Sequence, residues 1–529
     1  MHRNHLCLFV LAVILFTAGC IKVGPDFSRP RAKVSQDWLE AGDHRVKTTS
    51  PKYHQWWQAF GDPTLDRLID TAYRQNLSLR IAGVRVLEAR AQLGIAVGEL
   101  FPQTQQAFGY VDKIRTSERS PQAAFSNSLK YFQSEVGLQA AWELDFWGKF
   151  RRAIEAADSS LLATIADYDS TLVSLTGDVA TDYILIRTLE KRLDISRQNL
   201  VSQRESLQLA EAKFTGGTTS QRDVEQAKTL LFNTQATIPA FEIQLRQAKN
   251  ALCVLLGLPP NQLSDLLGTK VGVIPTPPPQ VAVGIPADLL RRRPDIRAAE
   301  LQAAAQCANI GVAKADLFPA FSLSGTFSFQ ASDVANFKLG NMLEWRSRNA
   351  SGGPSFTWNI LNYGRLTNQV RVQDARFQQL IISYQNAVLK AQQEVEDSLV
   401  GFIRSQARAA SLGESTAAAR RSLDLSVLQY REGSTDFTTV LTAQQALLSE
   451  QDSLAVSLGD ISRNLVGVYR ALGGGWQLRE GKDFVPPEIQ AEMAQRTYWG
   501  NLLTTAAYNL PESEPAAPEK KPEAETPAP

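Results

Sequence analysis

Histidine and cysteine are scarce in this chain, since each occurs only four times in 529 residues. All four histidines lie at or before His54, so no His/Cys cluster with metal-ligand spacing follows. Cys253 and Cys307 lie on apolar helical stretches without a CxxC pair and are expected to be buried packing residues. GxSxG, HExxH and P-loop motifs are also missing. These absences predict a protein that is not an enzyme and that uses no metal or nucleotide cofactor.

Neither sign of charge dominates, because 55 Lys and Arg side chains oppose 54 Asp and Glu side chains. The formal net charge of +1 gives no electrostatic reason to expect nucleic-acid binding. Long apolar runs are missing too, because no segment beyond the N-terminus offers the ~20 uninterrupted apolar residues of a transmembrane helix. If the chain spans a membrane, it must do so with β-strands.

The first residues, 1–19, are predicted to be a signal peptide. An apolar run from Leu6 to Phe16 follows a short polar start and is too short to span a bilayer. The run leads into Thr17-Ala18-Gly19-Cys20, which resembles a bacterial lipobox, although an aliphatic residue is more usual at the position of Thr17. The resemblance implies cleavage before Cys20 and a covalent lipid on it, N-acyl and S-diacylglycerol. The alternative is an ordinary signal peptide that happens to contain a cysteine.

The rest of the chain is internally duplicated. Leu100-Phe101-Pro102 recurs as Leu317-Phe318-Pro319, at an offset of about 216 residues. Each half contains a helical segment, two alternating segments and two longer helical segments. This order predicts a tube built from repeats. Further residues repeat at the same offset: Trp142 and Trp358, Gly148 and Gly364, Tyr168 and Tyr384, Phe214 and Tyr430, Gly217 and Gly433.

Alternating apolar and polar residues predict two strands in each half. Phe321–Phe329 and Val136–Phe146 place apolar side chains on one face and mostly polar ones on the other. Thr104–Lys113 and Ser355–Tyr363 are weaker candidates. Such alternation fits either a soluble sheet with one wet face or transmembrane strands with lipid outside and water inside. Aromatic residues near the segment ends favour the membrane interpretation: Phe101, Trp147, Phe318 and Tyr363.

A long helical segment without proline follows each second strand, Gly148–Phe214 in the first half and Gly364–Tyr430 in the second. At 1.5 Å per residue, about 66 residues form a rod of roughly 100 Å, which far exceeds the thickness of a bilayer. Such a rod is expected to cross an aqueous compartment.

A glycine-containing turn ends each rod, and a returning helix is predicted at about 220–256 and 436–472. Ser220 and Ser434 are expected to cap these returning helices. Each half therefore ends in an antiparallel hairpin whose tip lies far from the strands. A further helix is expected before the first strand of each half, at about 63–98 and 295–315.

The expected organisation has seven parts. The linker is predicted to be irregular because it is rich in proline, and the tail to be disordered because it has few large apolar residues. In chain order the parts are the signal peptide (1–19), a lipidated extended segment (20–62), the first repeat (63–257), the linker (258–285), the second repeat (286–473), a C-terminal segment (474–510) and a Pro/Glu/Ala tail (511–529).

Four strands per chain cannot close a membrane barrel on their own. Single-chain barrels begin at about eight strands, and an open sheet edge is not viable in lipid. If the strands cross a membrane, several chains must therefore pool them, and each chain then adds its long helices to a shared tube.

Several stretches resemble the TolC superfamily, with the OprM/NodT-type outer-membrane efflux lipoproteins as the closest match. They are Val23-Gly24-Pro25-Asp26-Phe27, the segment Pro286–Glu300, the paired Leu-Phe-Pro elements and Tyr430-x-x-Gly433. The resemblance covers about residues 20–480. It implies a mixed α and β membrane protein, a homotrimer whose twelve-stranded outer-membrane β-barrel, four strands per chain, continues into a long periplasmic α-helical barrel. It also implies a lipid-anchored channel that docks on a periplasmic adaptor (membrane fusion) protein and an inner-membrane pump, usually of the RND class.

The resemblance further implies passive conduction through a gate at the periplasmic helix tips, with energy supplied by the pump. Asp223 matches a gating aspartate of the family, and Tyr430 matches its tyrosine partner. Thr435 occupies the place of the family's basic residue, and Thr439 and Thr442 occupy its following acidic positions, so the gate is less charged and Arg431 or Asp436 is expected to substitute for the missing charges. The alternative for Asp223 and Asp436 is plain helix capping, and for Tyr430 it is hydrophobic packing of the hairpin.

The tip turns, Gly216-Gly217 and Gly433-Ser434, are the expected adaptor contacts, with simple turn chemistry as the alternative. Two other functions stay open. A structural coiled-coil lipoprotein would explain the rods but not the strands or the duplication. A conduit for type I protein secretion, served by an ABC exporter, would use the same architecture, although the lipobox and Val23–Phe27 favour small-molecule efflux.

Overall fold

The structure is a computed structural model, and it describes residues 22–49, 54–121, 123, 128–288, 292–334 and 338–504. The predicted signal peptide, Cys20 and the predicted tail lie outside the described residues. In the described part of the chain the α-helices are α1 (Pro63–Gln75), α2 (Leu77–Gly98), α3 (Lys149–Thr215), α4 (Gln221–Leu255), α5 (Ser264–Leu267), α6 (Pro294–Ala315), α7 (Arg365–Glu432), α8 (Phe437–Ala471) and α9 (Pro487–Arg496). The strands are β1 (Val46–Lys47), β2 (Thr104–Arg115), β3 (Lys130–Leu144), β4 (Val281–Ala282), β5 (Ala320–Ser332) and β6 (Arg348–Thr357).

Two compact units share these elements. Of the described residues, those within 22–32, 85–164 and 298–386 form the first unit, and those within 33–84, 165–297 and 387–504 form the second. None of the described helices combines the length and the apolar character that a membrane-spanning helix needs.

The first unit contains an antiparallel four-stranded sheet in the order β2-β3-β5-β6. Leu138 and Phe327 are paired across β3 and β5, and both are exposed on one face. On the other face the Gln139 amide donates a hydrogen bond of 2.7 Å to Gln106. The two strong strand predictions are confirmed, since side chains alternate between faces along an extended strand. Further apolar side chains exposed on the first face are Val136, Leu323 and Phe356.

The predicted position of the last strand, Ser355–Tyr363, is wrong, because β6 ends at Thr357. The chain leaves the sheet where the Trp358 indole N–H donates to the Leu317 carbonyl at 3.0 Å. The equivalent Trp142 donates to the Leu100 carbonyl at 3.1 Å. The repeated tryptophan and the repeated Leu-Phe-Pro element are therefore hydrogen-bond partners within each half.

The Val23–Phe27 stretch is held firmly in the first unit. Arg152, only 1% exposed, donates to the Val23 carbonyl and forms an ion pair of 2.7 Å with Asp26. Gly24 has a φ of +102°, and a Cβ there would lie 2.5 Å from the Gly311 Cα. Only glycine fits this close backbone approach.

In the second unit part of the proline-rich linker is regular, which corrects the prediction of an irregular segment. β4 pairs with β1 in parallel, so the N-terminal segment and the linker form a two-stranded sheet. The Arg187 guanidinium on α3 is almost fully buried and donates to the Leu267 carbonyl at the end of α5. A buried guanidinium needs such acceptors, and this need orders the linker locally.

The single helix predicted at about 63–98 is broken at Asn76, which separates α1 from α2. The Asn76 side chain accepts a hydrogen bond of 2.8 Å from the Leu79 amide and donates one of 2.9 Å to the Leu255 carbonyl. One buried amide thus caps the start of α2 and bonds the last carbonyl of α4.

The C-terminal segment is anchored in the second unit by a buried ion pair. Arg479 and Asp169 are 4% and 1% exposed, and the Nη2 to Oδ2 distance is 2.8 Å. The Arg479 guanidinium also lies 4.9 Å from the centre of the Phe484 ring. Cys253 and Cys307 are buried free thiols, which confirms their prediction as packing residues.

Candidate functional site

The predicted gate residues lie at the tips of two helical hairpins in the second unit, α3–α4 and α7–α8. Both first helices end in the same way. The Gly217 amide donates to the Phe214 carbonyl, and the Gly433 amide donates to the Tyr430 carbonyl. Both glycines have a positive φ, +69° and +79°. This is the Schellman arrangement, in which a left-handed residue satisfies the last carbonyls of the helix.

A common hydrophobic cluster joins the two tips, with residues from all four helices. Tyr430 is its central aromatic residue, 3% exposed, and its ring packs edge-on against Phe437 at 5.3 Å. The packing alternative for Tyr430 is therefore confirmed. The other buried members are Ala210, Val224, Ala227, Leu423, Val440, Ala443 and Leu447.

Asp223 lies beside this cluster and is 6% exposed. Its carboxylate accepts hydrogen bonds from the hydroxyls of Thr219 and Ser220, the latter at 3.2 Å. The Arg222 guanidinium is 3.6 Å away but mostly exposed. Ser220 occupies the N-cap position of α4 as predicted, but its hydroxyl points at this carboxylate and makes no capping bond with the backbone. Buried carboxylates require such donors, and Asp223 receives them from its own turn.

The Tyr430 hydroxyl is buried and has no hydrogen-bond partner among the described residues. Burial raises the pKa of Tyr430, a contact with Thr219 opposes that shift, and the charge of Asp223 adds to it. The structure thus brings Tyr430 and Asp223 close enough to interact electrostatically, although no direct hydrogen bond joins them. The phenol is neutral at ordinary pH, as an unperturbed tyrosine would also be, and burial moves its pKa further in that direction.

Lys213, in the last turn of α3, also contacts Tyr430, which the sequence reasoning missed. Its ammonium donates to the Tyr430 carbonyl and lies 4.6 Å from the centre of the Tyr430 ring. The only available signal in the sequence was a basic residue near a helix C-terminus, which is common. The separation of 217 residues between the partners hides the contact.

The other predicted site residues have separate positions. Asp436 is the N-cap of α8 and accepts a hydrogen bond from the Thr439 amide at 3.2 Å, which confirms the capping alternative. Ser434 does not cap α8, since its hydroxyl donates to the Gln429 carbonyl at 3.1 Å. Arg431 is exposed at the end of α7.

The predicted adaptor contacts are exposed at the two turns. Gly216, Gly217, Gly433 and Ser434 are all solvent-accessible in the protomer. A Cβ at Gly217 or Gly433 would meet no atom within 4 Å, so backbone conformation alone demands glycine there. Within the described ranges no three His, Cys, Asp or Glu side chains meet in a way that could hold a metal ion.

Solved structures with the same arrangement of sheet and hairpins identify the class. The outer-membrane channel OprN matches with a TM-score of 0.80 and 32% identity, over 86% of this chain and all of that one. The CmeC outer membrane channel of Campylobacter jejuni matches with a TM-score of 0.79 at 22% identity, which shows the shared fold. The protein thus has the fold of the outer-membrane channels of the TolC superfamily.

Sequence relatives identify the family. The sequence profile of the family described as "Outer membrane efflux protein" matches residues 68–258 and 285–474. The solvent efflux pump outer membrane protein SrpC of Pseudomonas putida is 33% identical over 88% of this chain and 98% of its own length. Nodulation protein T of Rhizobium leguminosarum bv. viciae is 32% identical over 90% and 94%. The chain belongs to the outer membrane efflux protein family, which consists of channel proteins.

Proposed function

We propose that three copies of this chain form the outer-membrane channel of a tripartite efflux system. The channel passively conducts substrates that an inner-membrane pump and a periplasmic adaptor deliver. The observation that carries the proposal is the four-stranded sheet, with one exposed apolar face and one polar face. An open sheet of this kind is not viable in lipid unless its edges are paired, and three copies supply a barrel of about twelve strands.

The helices supply the periplasmic part of the channel. α3 and α7 contain 67 and 68 residues, so each is roughly 100 Å long. Helices of this length from three copies would line a continuous path from the outer membrane across the periplasm. A lipid on Cys20 would add an anchor, and the ion pair between Arg152 and Asp26 would hold the neighbouring segment in place.

The gate of the proposed channel is the cluster at the hairpin tips. Packing around Tyr430 and the buried Asp223 favours a closed tip, because splaying the hairpins would expose both. Asp436 acts as a helix cap in this proposal, and Arg431 forms no ion pair among the described residues through which it could take the role of the family's basic residue. An adaptor that binds the exposed turns Gly216-Gly217 and Gly433-Ser434 would open the channel by preferring the splayed state.

In this proposal the pump, and not the channel, selects the substrate. Relatives at 32–33% identity to this chain are named for solvent efflux, toluene efflux and pyoverdine export. Such different substrates on similar channels are consistent with a conduit of low selectivity. The export of small molecules in these names favours efflux over type I protein secretion.

The test is single-channel recording in planar bilayers, after light scattering has established the oligomeric state. Wild type should be trimeric and should give small, mostly closed currents. Asp223→Ala should give larger currents, because the tip loses a buried carboxylate and its two hydrogen bonds. Glu225→Ala is the matched control, since Glu225 is an exposed acid two residues further along α4 whose ion-pair partner among the described residues is Lys228.

Each result has a distinct meaning. The absence of current from correctly trimeric protein would refute the channel. Equal small currents in wild type and Asp223→Ala would keep the channel and move the gate elsewhere. Larger currents in Glu225→Ala as well would mean that any loss of negative charge near the tip opens the channel.

A further inference from the structure

We infer that Lys213 is a positioning residue that holds the tip closed, because its ammonium neutralises two helix C-termini that lie side by side. This inference rests on the proposed function, since it concerns the control of the same gate. It adds a residue on the first hairpin that binds the second hairpin through its backbone.

The geometry comes from the ends of α3 and α7. Lys213 lies in the last turn of α3, and its ammonium donates to the carbonyl of Tyr430 in the last turn of α7. That carbonyl also accepts the Gly433 amide at 3.2 Å. The ammonium lies 4.6 Å from the centre of the Tyr430 ring, within the range of a cation–π contact. One side chain therefore binds both the backbone and the ring of the same gate residue.

Electrostatics explains why a cation is needed at this place. The C-terminus of a helix carries about half a negative charge, and α3 and α7 both end at the tip. The buried carboxylate of Asp223 adds a full negative charge beside them. The Lys213 ammonium is partly buried between these groups, so it interacts with them through less water than a fully exposed cation would.

Comparison with the first turn indicates that only the second turn receives an ammonium in this way among the described residues. The residue that corresponds to Lys213 in the second repeat is Gln429, which has no charge. The Phe214 carbonyl, equivalent to that of Tyr430, accepts the Gly217 amide at 2.9 Å and no ammonium among the described residues. Each protomer thus has one such contact between its hairpins, and separating the second hairpin from the first must break it.

The experiment compares three variants by single-channel recording in planar bilayers. Lys213→Met keeps the aliphatic stem and removes the charge, whereas Lys213→Arg keeps the charge. Lys228→Met is the matched control, because the ion-pair partner of Lys228 in the described part of the chain is Glu225 on its own helix. Lys213→Met should raise the ratio of open to closed dwell time ~10-fold, which corresponds to about 1.4 kcal/mol. Lys213→Arg and Lys228→Met should match wild type.

The dependence of the open-to-closed ratio on salt provides a second test, because it would not change if Lys213 had only a packing role. The open-to-closed ratio of wild type should rise with ionic strength, because salt screens the ammonium, and that of Lys213→Met should not. If Lys213→Met matches wild type, or if Lys213→Arg opens the channel equally, the inference is wrong. If wild type itself forms no channel, the proposed function fails instead. Should Lys213→Met not assemble as a trimer, Lys213→Arg and the salt series on wild type still decide the question.

Discussion

Gly217 and Gly433 turn the chain with nearly the same φ, +69° and +79°, yet the residues before them differ sharply in environment. Phe214 is 44% exposed at the first tip, whereas Tyr430 is 3% exposed at the second. A turn requires a particular backbone, so duplication preserved glycine at both tips. The side chains beside the glycines could diverge, because the two hairpins pack against each other and their facing side chains need to be complementary and not identical.

The returning helices diverge in a complementary way. At the first tip Ser220 stands at the N-cap and Asp223 is buried three residues later. At the second tip Asp436 is the N-cap and Thr439, equivalent to Asp223, is exposed. The acidic residue therefore serves as a cap on one side and faces Tyr430 on the other. Although the two turns have a common origin, only the first places a buried acid near Tyr430.

The largest difference between the tips should appear on truncating their aromatic residues. Tyr430→Ala should lower the free energy of local opening by about 3 kcal/mol, because it leaves a cavity in the cluster of all four helices. Phe214→Ala should lower it by less than about 1 kcal/mol, since much of the ring is already in water. Native-state hydrogen exchange of peptides from the first turns of α8 measures both. Equal effects would show that the two aromatics are equivalent, against the structure.

A second comparison concerns the two acids. Asp223→Ala should lower the local opening free energy by about 2 kcal/mol, because two hydroxyls lose a charged acceptor in a buried place. Asp436→Ala should lower it by about 1 kcal/mol, the usual value of a lost N-cap. Hydrogen exchange of α4 and α8 distinguishes them, since each loss should be confined to its own helix. A larger effect for Asp436 would reverse the assignment of gate and cap.

The two turns themselves should respond alike. Gly217→Ala and Gly433→Ala should each lower the local opening free energy by about 1 kcal/mol, because a Cβ is strained at positive φ. Neither site offers a steric clash that could separate them. Hydrogen exchange at the end of α3 and of α7 provides the measurement. If only one of the two substitutions lowered the local opening free energy, the two turns would differ in stability despite their similar backbone conformation.

Much of the fold could be predicted from the sequence because its periodicities are long. Apolar alternation located β3 and β5, and uninterrupted helical patterns located α3 and α7 to within two residues. Errors arose where a single side chain decided a boundary. Asn76 breaks a helix by capping α2, and Trp358 ends β6 by bonding to Leu317. No local pattern encodes the bonds that Asn76 donates to Leu255 and Trp358 donates to Leu317, because these two carbonyl acceptors lie elsewhere in the chain.

The candidate site was predictable only in part, for the same reason. Burial of Tyr430 and the turn glycines followed from hydrophobicity and helix-end chemistry. The Lys213 contact could not be predicted, because it joins residues in different repeats that only the packed hairpins bring together. The distinction between Asp223 and Asp436 also required the structure, since both are acids near a helix start.

The smallest expected effect comes from removing the hydroxyl of Tyr430. Whether this change raises or lowers the local opening free energy is informative. The hydroxyl is buried without a partner among the described residues of the protomer. Tyr430→Phe should therefore leave the local opening free energy unchanged or raise it by about 0.5 kcal/mol, because an unsatisfied polar atom is removed. A loss of about 1 kcal/mol would instead mean that the hydroxyl donates to Thr219 or Asp223 in the assembled protein. Measuring Tyr430→Phe in wild type and in Asp223→Ala decides between these, since only a real bond to Asp223 would make the two changes non-additive.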